Sequence, residues 1–482
     1  MYKHTFDNTI LRSYDIRGVY EKTLSNKDAF MLGYFFGVTV KKKSPGKINP
    51  LIIIGMDGRL SSPALEENLN SGLVKSGCNV YRIGLGPTPM LYFSSHYYNA
   101  NGAIQVTGSH NPKNYNGFKI VLNQNSFFGE DIIKLGEFAK QGHSSNYNGF
   151  SKNVVVYDKY IEKIIEPLKN VGEKLSDKTI VWDCGNGASG PSVEMITRKI
   201  SGNHVVLYSK VDGNFPNHHP DPTDISTFKI MSNKMKEVNA DIGIGFDGDG
   251  DRIGVIDKQG RPVAGDLLTS FLACSIEAEN KSDHTVILDI KSSSVAYDKI
   301  KSLGLNVEIG KTGHSNIKKR IKEINSPLAG EVSGHIFFAD KYYGFDDALY
   351  ASVRLLSLLA KNINLEKFTS SLPKTFVSPE IKLHCSDKKK FIIIDNISKK
   401  ALEDYNLENI TTIDGVRAKN NFGWWLIRAS NTEEKLIIRF EGKTLTGKQQ
   451  LSLEQQIESL DQQIKSLNKQ NETLEDQNQS II

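Results

Sequence analysis

No stretch of this 482-residue chain comes near the ~18 consecutive apolar residues of a membrane span, so a membrane partner is not expected. The opening Met1-Tyr2-Lys3-His4-Thr5 lacks an apolar signal core, so secretion is not expected. Cysteine is scarce. Cys78, Cys184, Cys274 and Cys385 stand singly, with neither metal spacing nor a disulfide framework, which fits a reducing cytoplasm. A large excess of one charge is also missing: 60 Lys and Arg against 55 Asp and Glu leave a net +5. Lys41-Lys42-Lys43 and Lys388-Lys389-Lys390 are not interleaved with aromatics on a long basic face. They read as solvated surface, and no nucleic-acid partner is expected. A small anionic ligand suits this balance. What remains is a globular composition, 39% hydrophobic and 24% charged. The chain is too long for a single core, and three or four domains are expected.

Strand and helix patterns alternate. Leu51–Ile54, Val80–Ile83 and Ala103–Val106 read as strands, with helical spacing over Pro63–Lys75 and after Gly86-Pro87-Thr88-Pro89. The pattern restarts after Tyr160–Leu168: strands over Thr179–Trp182, His204–Tyr208 and Asp241–Phe246, helices over Pro191–Ile200 and Ile225–Val238. It restarts again with strands Thr285–Leu288 and Val307–Ile309 and helices Val295–Leu303 and Ser315–Ile324. This implies α/β layers with mainly parallel central strands. Three apolar strands end in aspartate, at Asp57, Asp183 and Asp289, a weak internal repeat that predicts three related α/β domains. Ligands gather at the carboxyl ends of strands in such sheets, so these ends are expected to converge on a cleft. After about Leu365 shorter strands, Thr411–Val416, Trp424–Ile427 and Leu436–Phe440, predict a smaller α+β domain.

Two motifs carry chemistry. Thr107-Gly108-Ser109-His110-Asn111-Pro112 follows the strand Ala103–Val106, and Lys119 comes soon after. A serine just past a strand end, beside histidine and lysine, is placed to act as a nucleophile or to carry a phosphoryl group. An ordinary Ser/Asn/Pro turn is the competing reading. Phe246-Asp247-Gly248-Asp249-Gly250-Asp251-Arg252 closes another apolar run. In an extended segment Asp247, Asp249 and Asp251 point the same way, and three crowded carboxylates repel unless a cation neutralises them. An all-oxygen set suits Mg2+ or another hard dication. An EF-hand needs a glutamate at loop position 12, where this chain has Lys258. A solvated acidic turn is the alternative. Arg252 can steady the carboxylates or a phosphate.

On these motifs the chain resembles the α-D-phosphohexomutase family, most closely its bacterial phosphomannomutase/phosphoglucomutase branch, from about Ile10 to Gly442. The resemblance implies three α/β domains with mixed sheets and a smaller C-terminal α+β domain around a central cleft. The expected boundaries are 1–153 with the phosphoserine loop, 154–253 with the metal loop, 254–365 with the sugar loop and 366–446 with a phosphate loop. It implies reversible phosphoryl transfer between O1 and O6 of mannose or glucose phosphate, through phosphoserine and a hexose 1,6-bisphosphate that serves as intermediate and activator. It assigns the phosphoserine to Ser109, and one Mg2+ per chain to Ser109, Asp247, Asp249 and Asp251. It implies catalytic roles for Ser109, His110, Lys119, Arg252 and His335. Substrate contacts are implied for Tyr14 and Arg17, for Lys291 and His314, for Glu331 and Ser333 of Gly330-Glu331-Val332-Ser333-Gly334-His335, and for Arg428, Ser430, Asn431 and Thr432.

The residue chemistry agrees. Arg428 can grip a phosphate bidentately, with Ser430, Asn431 and Thr432 as further donors. Glu331 and Ser333, two apart, face one side of an extended loop and can bond sugar hydroxyls. His335 can exchange a proton with the sugar or with Ser109, or it can be structural. Lys119 can stabilise charge or relay a proton. Thr107, Val332 and Asn431 favour the mannose/glucose branch over phosphoglucosamine mutase. A sugar phosphatase and a non-catalytic sugar-phosphate binder are the remaining alternatives; no obvious water-activating dyad adjoins Ser109, and the intact serine, three aspartates and lysine argue against a mere binder. A hinge near Leu365 is expected. The tail departs from the family. Leu453, Ile457, Leu460, Ile464, Leu467, Asn471, Leu474, Asn478 and Ile481 keep 4-3 spacing. Residues 447–482 are therefore expected to be helical, as a terminal helix on the fourth domain or as a coiled coil joining a homo-oligomer; the chain is otherwise a monomer.

Overall fold

The computed structural model describes residues 1–144, 147–277, 280–430 and 434–444. The heptad-like tail lies outside them, as do Asn431 and Thr432. The chain divides into two units, at Ser371 and Leu372. No helix among the described residues is long and apolar enough to cross a membrane.

One strand pattern occurs three times in the first unit. Its first copy comprises Leu51–Met56, Asn79–Leu85, Gly102–Val106 and Tyr115–Leu122. They lie in the order second, first, third, fourth. The first three are parallel and the fourth is antiparallel. Thr179–Asp183, Asn203–Leu207, Ile242–Phe246 and Ile253–Ile256 repeat that order and those directions. So do Thr285–Asp289, Asn306–Gly310, Leu328–Gly330 and Ile336–Phe338. The sequence periodicity therefore reflects three mixed α/β sheets. Ile16–Val19 extends the first sheet beyond Tyr115–Leu122. Central strands covered on both faces read as unbroken apolar runs, and Ile52, Ile53 and Ile54 are all fully buried.

The helices start and stop where the sequence signals. Ser25 and Asp28 form a reciprocal capping box on helix Asn26–Lys43, whose last turn carries Lys41, Lys42 and Lys43. Pro87 precedes helix Thr88–Tyr97, with Pro89 in its first turn. Helix Leu365–Ser371 belongs to the first unit. Its Phe368 packs edge-on against Phe271 at 5.1 Å.

In the second unit an antiparallel sheet runs Phe376–Val377, Lys435–Gly442, Gly423–Ala429, Val416–Asn420, Ile410–Thr411, with Ile381–His384 also paired to Lys435–Gly442. Helix Asp387–Asp404 packs on it through Ile393 against Leu436. The strand expected over Thr411–Val416 is two strands joined by a tight turn. Gly415 sits there at φ +87°, where a Cβ would strike Arg428. The apolar spacing of Ile413 and Val416 resembles a strand, but the Asp-Gly pair between them supplies the bend.

Asp347 caps helix Ala348–Ala360 from a fully enclosed position, accepting from Tyr350 N–H at 2.9 Å, Tyr342 Oη at 2.8 Å and Tyr160 Oη at 3.1 Å. Burial outweighs these bonds and pushes its carboxyl up to about 6. The folded protein thus holds a proton that the unfolded chain releases at lower pH. This group costs nothing below the unfolded value and its full penalty above the folded one. Asp347→Asn should therefore gain on the wild type by roughly 3 kcal/mol in all as pH rises from about 3 to 7, most of it between about 4 and 6. Urea midpoints across that range check this; a difference flat in pH would contradict it.

Candidate active site

Each repeat places one loop between its third strand and the antiparallel fourth. These are residues 107–114, 247–252 and 331–335. They are the serine loop, the aspartate loop and the loop with Glu331 and His335, and the first unit brings all three together.

The serine loop is held from beneath. Asp57, just past strand Leu51–Met56, accepts from Thr107 Oγ1 at 2.9 Å, Gly108 N–H at 3.0 Å and Ser62 Oγ at 2.6 Å. The guanidinium of Arg59, only 1% exposed, donates to the carbonyls of Ser109 and Asn111, each at 2.6 Å, and of Pro112 and Tyr115 at 2.7 and 3.0 Å. A planar fork of donors suits four converging carbonyls. Ser109 is thereby fixed at φ +47°, an uncommon conformation for serine. Its Oγ donates to Asp247 Oδ2 at 2.8 Å and lies 3.2 Å from His110 Nδ1.

The aspartate loop is a tight turn, not the extended segment expected from the sequence. Gly250 sits at φ +73° and donates to Asp247 O at 3.2 Å. The carboxylates converge because the turn wraps around them. One oxygen from each of Asp247, Asp249 and Asp251 lies within 4.8 Å of the others, and all three residues are fully buried. Gly248 lets this turn touch the serine loop, since a Cβ there would lie 2.5 Å from Ser109 O. Lys119, on the fourth strand of the first repeat, donates to Asp249 Oδ2 at 2.7 Å and also pairs with Asp251 Oδ2. Burial works to strip its proton, but Asp249, Asp251 and Asp247 outweigh this and hold the ammonium more tightly than usual. Burial, followed by Asp249 and Asp251, raises the Asp247 carboxyl.

The carboxylates fit a hard cation. Among the described residues, the buried oxygens Asp249 Oδ1 and Asp251 Oδ1 have no hydrogen-bond partner, and Asp247 Oδ2 accepts from the serine hydroxyl. Buried carboxylate oxygens lacking donors are costly unless a cation takes them.

The third loop is also a turn, with Gly334 N–H donating to Glu331 O at 3.0 Å. Glu331 does not share an extended face with Ser333. Its Oε1 is bound by Gly313 N–H at 2.6 Å, and burial raises its carboxyl. Ser333 is half-buried. Arg252 Nε donates to His335 Nε2 at 3.0 Å, so that nitrogen carries the lone pair. His335 Nδ1 faces Asp346 Oδ2 at 3.0 Å. The His314 ring stacks on His335 at 5.5 Å, and burial, with Lys318 adding to it, keeps His314 neutral. Burial, then Arg252 and Arg17, does the same for His110.

Tyr14 Oη donates to Thr312 O at 3.0 Å, and Arg17 bridges Asp15 and Asn111 of the serine loop. Lys291 Nζ lies 4.0 Å from Asp289 Oδ2. In the second unit Arg428 makes two 3.2 Å bonds to Asp414, and Ser430 O accepts from Lys390 Nζ at 2.5 Å.

Four models of one family match the chain in order. They are the phosphoglucomutase/phosphomannomutase alpha/beta/alpha domains I, II and III, over residues 8–137, 158–260 and 264–376, and the C-terminal domain over 380–457. The chain belongs to the phosphoglucomutase/phosphomannomutase family. It is therefore a phosphohexomutase-family enzyme. It is 40% identical over 435 residues to a phosphomannomutase/phosphoglucomutase of Pseudomonas putida, covering 90% of this chain and 92% of that one. It is 36% identical over 438 residues to a phosphoglucomutase of Neisseria gonorrhoeae, covering 90% and 93%. A crystal structure of a phosphoglucomutase/phosphomannomutase family protein from Burkholderia thailandensis superposes with a TM-score of 0.86 at 33% identity, covering 95% of this chain and 98% of that one.

Sequence reasoning missed Arg59, Thr88 and Asp346. Thr88 closes the aspartate loop: its N–H donates to Asp249 O at 2.8 Å and its hydroxyl to Asp249 Oδ2. The Gly-Pro-Thr-Pro run marked a helix start, and a threonine there is available to cap something. Arg59 follows a strand-end aspartate by two residues, a spacing that could have flagged it.

Arg59→Met keeps the bulk and removes every donor. It should destabilise the first unit by about 3 kcal/mol or more, since several charge-assisted bonds are lost in a buried site. Denaturation beside an activity assay checks this; unchanged stability would remove Arg59 as the loop's support.

Proposed function

We propose that this enzyme transfers a phosphoryl group reversibly between O1 and O6 of mannose or glucose phosphate, with Ser109 as its phosphorylated residue. The observation that carries the reading is the 2.8 Å contact of Ser109 Oγ with Asp247 Oδ2, beside two buried carboxylate oxygens that lack donors. Esterifying Ser109 removes the hydrogen that bridges those oxygens and leaves an acceptor facing an acceptor. Asp247, Asp249, Asp251 and the serine phosphate would together hold one Mg2+. When bound, it neutralises their charge and that of the transferring group.

In the forward half-reaction a sugar hydroxyl oxygen attacks phosphorus in line. The bond from phosphorus to Ser109 Oγ breaks as the new one forms, and the hydroxyl's proton ends on Ser109 Oγ. The product of this step is hexose 1,6-bisphosphate. Return of its other phosphate to Ser109, after the sugar turns, releases the isomer. We assign the proton's passage to His110, a neutral ring 3.2 Å from Ser109 Oγ. Lys119 acts as fixed positive charge rather than a relay, because its carboxylates hold its proton. His335 orients Arg252 toward the transferring phosphate. Tyr14, Arg17, Lys291, His314, Glu331 and Ser333 are assigned to sugar-phosphate binding in the first unit. Arg428, Ser430, Asn431 and Thr432 are assigned to a phosphate contact. The resemblance of the serine and sugar loops supports mannose and glucose over glucosamine. The cytoplasm is the proposed setting.

Two measurements test this. Ser109→Ala should keep fold and substrate binding and lose at least about a thousandfold in conversion of glucose 1-phosphate to glucose 6-phosphate. Intact-mass measurement should show one phosphate on the wild type that substrate removes. Full turnover in the variant would sink the serine assignment. Separately, chelation should abolish turnover and Mg2+ should restore it, whereas Asp249→Ala should bind Mg2+ at least about tenfold more weakly by calorimetry. Turnover indifferent to chelator would overturn the metal reading.

A further inference from the structure

The three repeats differ in one connection. Residues 86–87 join the second strand to the next helix in the first repeat, and residues 311–313 do so in the third. In the second repeat the same connection takes residues 208–224. About 2–6 residues suffice for such a link, so most of this one is available for another task.

The segment is tied down on its own sheet. His218 Nε2 lies 3.0 and 3.1 Å from the two carboxylate oxygens of Asp183, at the end of the first strand. Asn186 Oδ1 accepts from Asn217 Nδ2 at 2.7 Å, and its carbonyl accepts from Asp212 N–H at 3.0 Å. Its Nδ2 donates to Lys210 O at 2.9 Å.

From this anchorage the segment reaches both loops that carry the chemistry. Pro220 O accepts from Gly248 N–H of the aspartate loop at 3.2 Å. Gly213 lies directly against the chain that supports the serine loop. A Cβ there would stand 2.6 Å from Gly58 O, 2.7 Å from Leu60 N and 2.9 Å from Arg59 Cα. Two residues on, Arg59 Cζ lies over the Phe215 ring at 5.3 Å. Guanidinium donors lie in the plane of the group, and attraction to a ring face uses none of them. Arg59 can therefore hold its four serine-loop carbonyls and the ring together. Phe215 sits at φ +50°, an uncommon backbone for phenylalanine. The turn is closed by Phe215 N–H on Asp212 O at 3.0 Å and by Asn214 N–H on Asp212 Oδ1 at 2.9 Å. Such strain persists only where the surroundings over-determine it, and here it sets the ring against Arg59.

We propose that residues 208–222 are a strap that holds the serine loop in register with the aspartate loop, and that Phe215 is a positioning residue for Ser109, acting through Arg59. Arg59 alone fixes the serine loop to the first sheet. The strap refers it to the second sheet, where Asp247, Asp249 and Asp251 lie. A small displacement of Ser109 Oγ from that cluster costs rate rather than affinity, because the sugar is held by other residues. The effect on rate rests on the serine chemistry proposed above, whereas the support of the loop does not.

Phe215→Leu removes the ring face. In conversion of glucose 1-phosphate to glucose 6-phosphate its kcat should fall about tenfold, with KM within about twofold of wild type. Phe215→Tyr keeps the ring and should stay within about twofold of wild type in both. On an Arg59→Lys background Phe215→Leu should cost less than about twofold further, because the guanidinium it steadies is gone. Hydrogen exchange read by mass spectrometry should be about tenfold faster over residues 107–115 in Phe215→Leu, with helix Asn26–Lys43 unchanged. Unchanged exchange over 107–115, an unchanged kcat in Phe215→Leu, an equal loss in Phe215→Tyr, or full additivity with Arg59→Lys would overturn the proposal. If the wild type lacks this turnover while exchange still rises in Phe215→Leu, the mutase reading fails and the support of the loop stands. Phe215→Met gives the same readings if Phe215→Leu does not fold.

Discussion

Everything at the centre of this molecule depends on how one buried ammonium meets three buried carboxylates. Lys119 comes from the first repeat, and Asp247, Asp249 and Asp251 come from the second. Their pairing is therefore also the joint between two sheets. Taking such groups out of water costs several kcal/mol per ion, and removal of one partner strands the rest. One lysine against three aspartates leaves the cluster negative. That imbalance appears as a raised Asp247 carboxyl and as two oxygens without donors. The joint is incomplete by one or two positive charges, and the incompleteness is what fits it to hold a cation.

The repeat explains why the loops meet. In all three sheets the functional loop joins the third strand to the antiparallel fourth. The aspartate at the end of each first strand has a different task. Asp57 and Asp183 each accept from the backbone N–H two residues on, at 3.0 and 2.9 Å, and Asp289 accepts from Ser292 Oγ at 2.8 Å. These carboxylates fold back to brace turns. The strand-end aspartates that mark the repeat in the sequence brace turns, one connection away from the groups that converge.

Much of this was legible because strand periodicity, turn residues and capping signals are local. The three α/β repeats follow from apolar runs closed by Asp and Gly. Ser109 and the aspartate loop were visible as motifs. What was not legible is how the loops bend. Alternate residues share a side only in extended chain, whereas residues 247–251 and 331–334 are turns, so the spacing rule gave convergence for the wrong reason in one case and failed for Glu331 and Ser333 in the other. The targets of Arg59 and Thr88 could not be read because each acts over a long sequence separation, on Ser109 and Asp249, and Asp346 meets His335 across a loop whose bend has no local signal. The division at Ser371, six residues beyond the expected hinge at Leu365, follows from Phe368 packing on Phe271, a tertiary contact with no local signal.

The histidines show how the surroundings decide a role that residue type leaves open. His335 has the sequence position of a proton carrier, yet Arg252 has no lone pair to offer and must donate, which occupies Nε2. Its other nitrogen faces Asp346, which is itself held by Lys318 at 2.9 Å. The Arg252 bond at Nε2 fixes the tautomer, and the ring in turn holds the guanidinium in position. Among the described residues no carboxylate is hydrogen-bonded or ion-paired to the His110 ring. It lies in contact with Ser109 Oγ, with Arg252 and Arg17 disfavouring a second positive charge. Of the two, the ring that can lend its lone pair to a passing proton without breaking an existing bond to arginine is the one beside the serine.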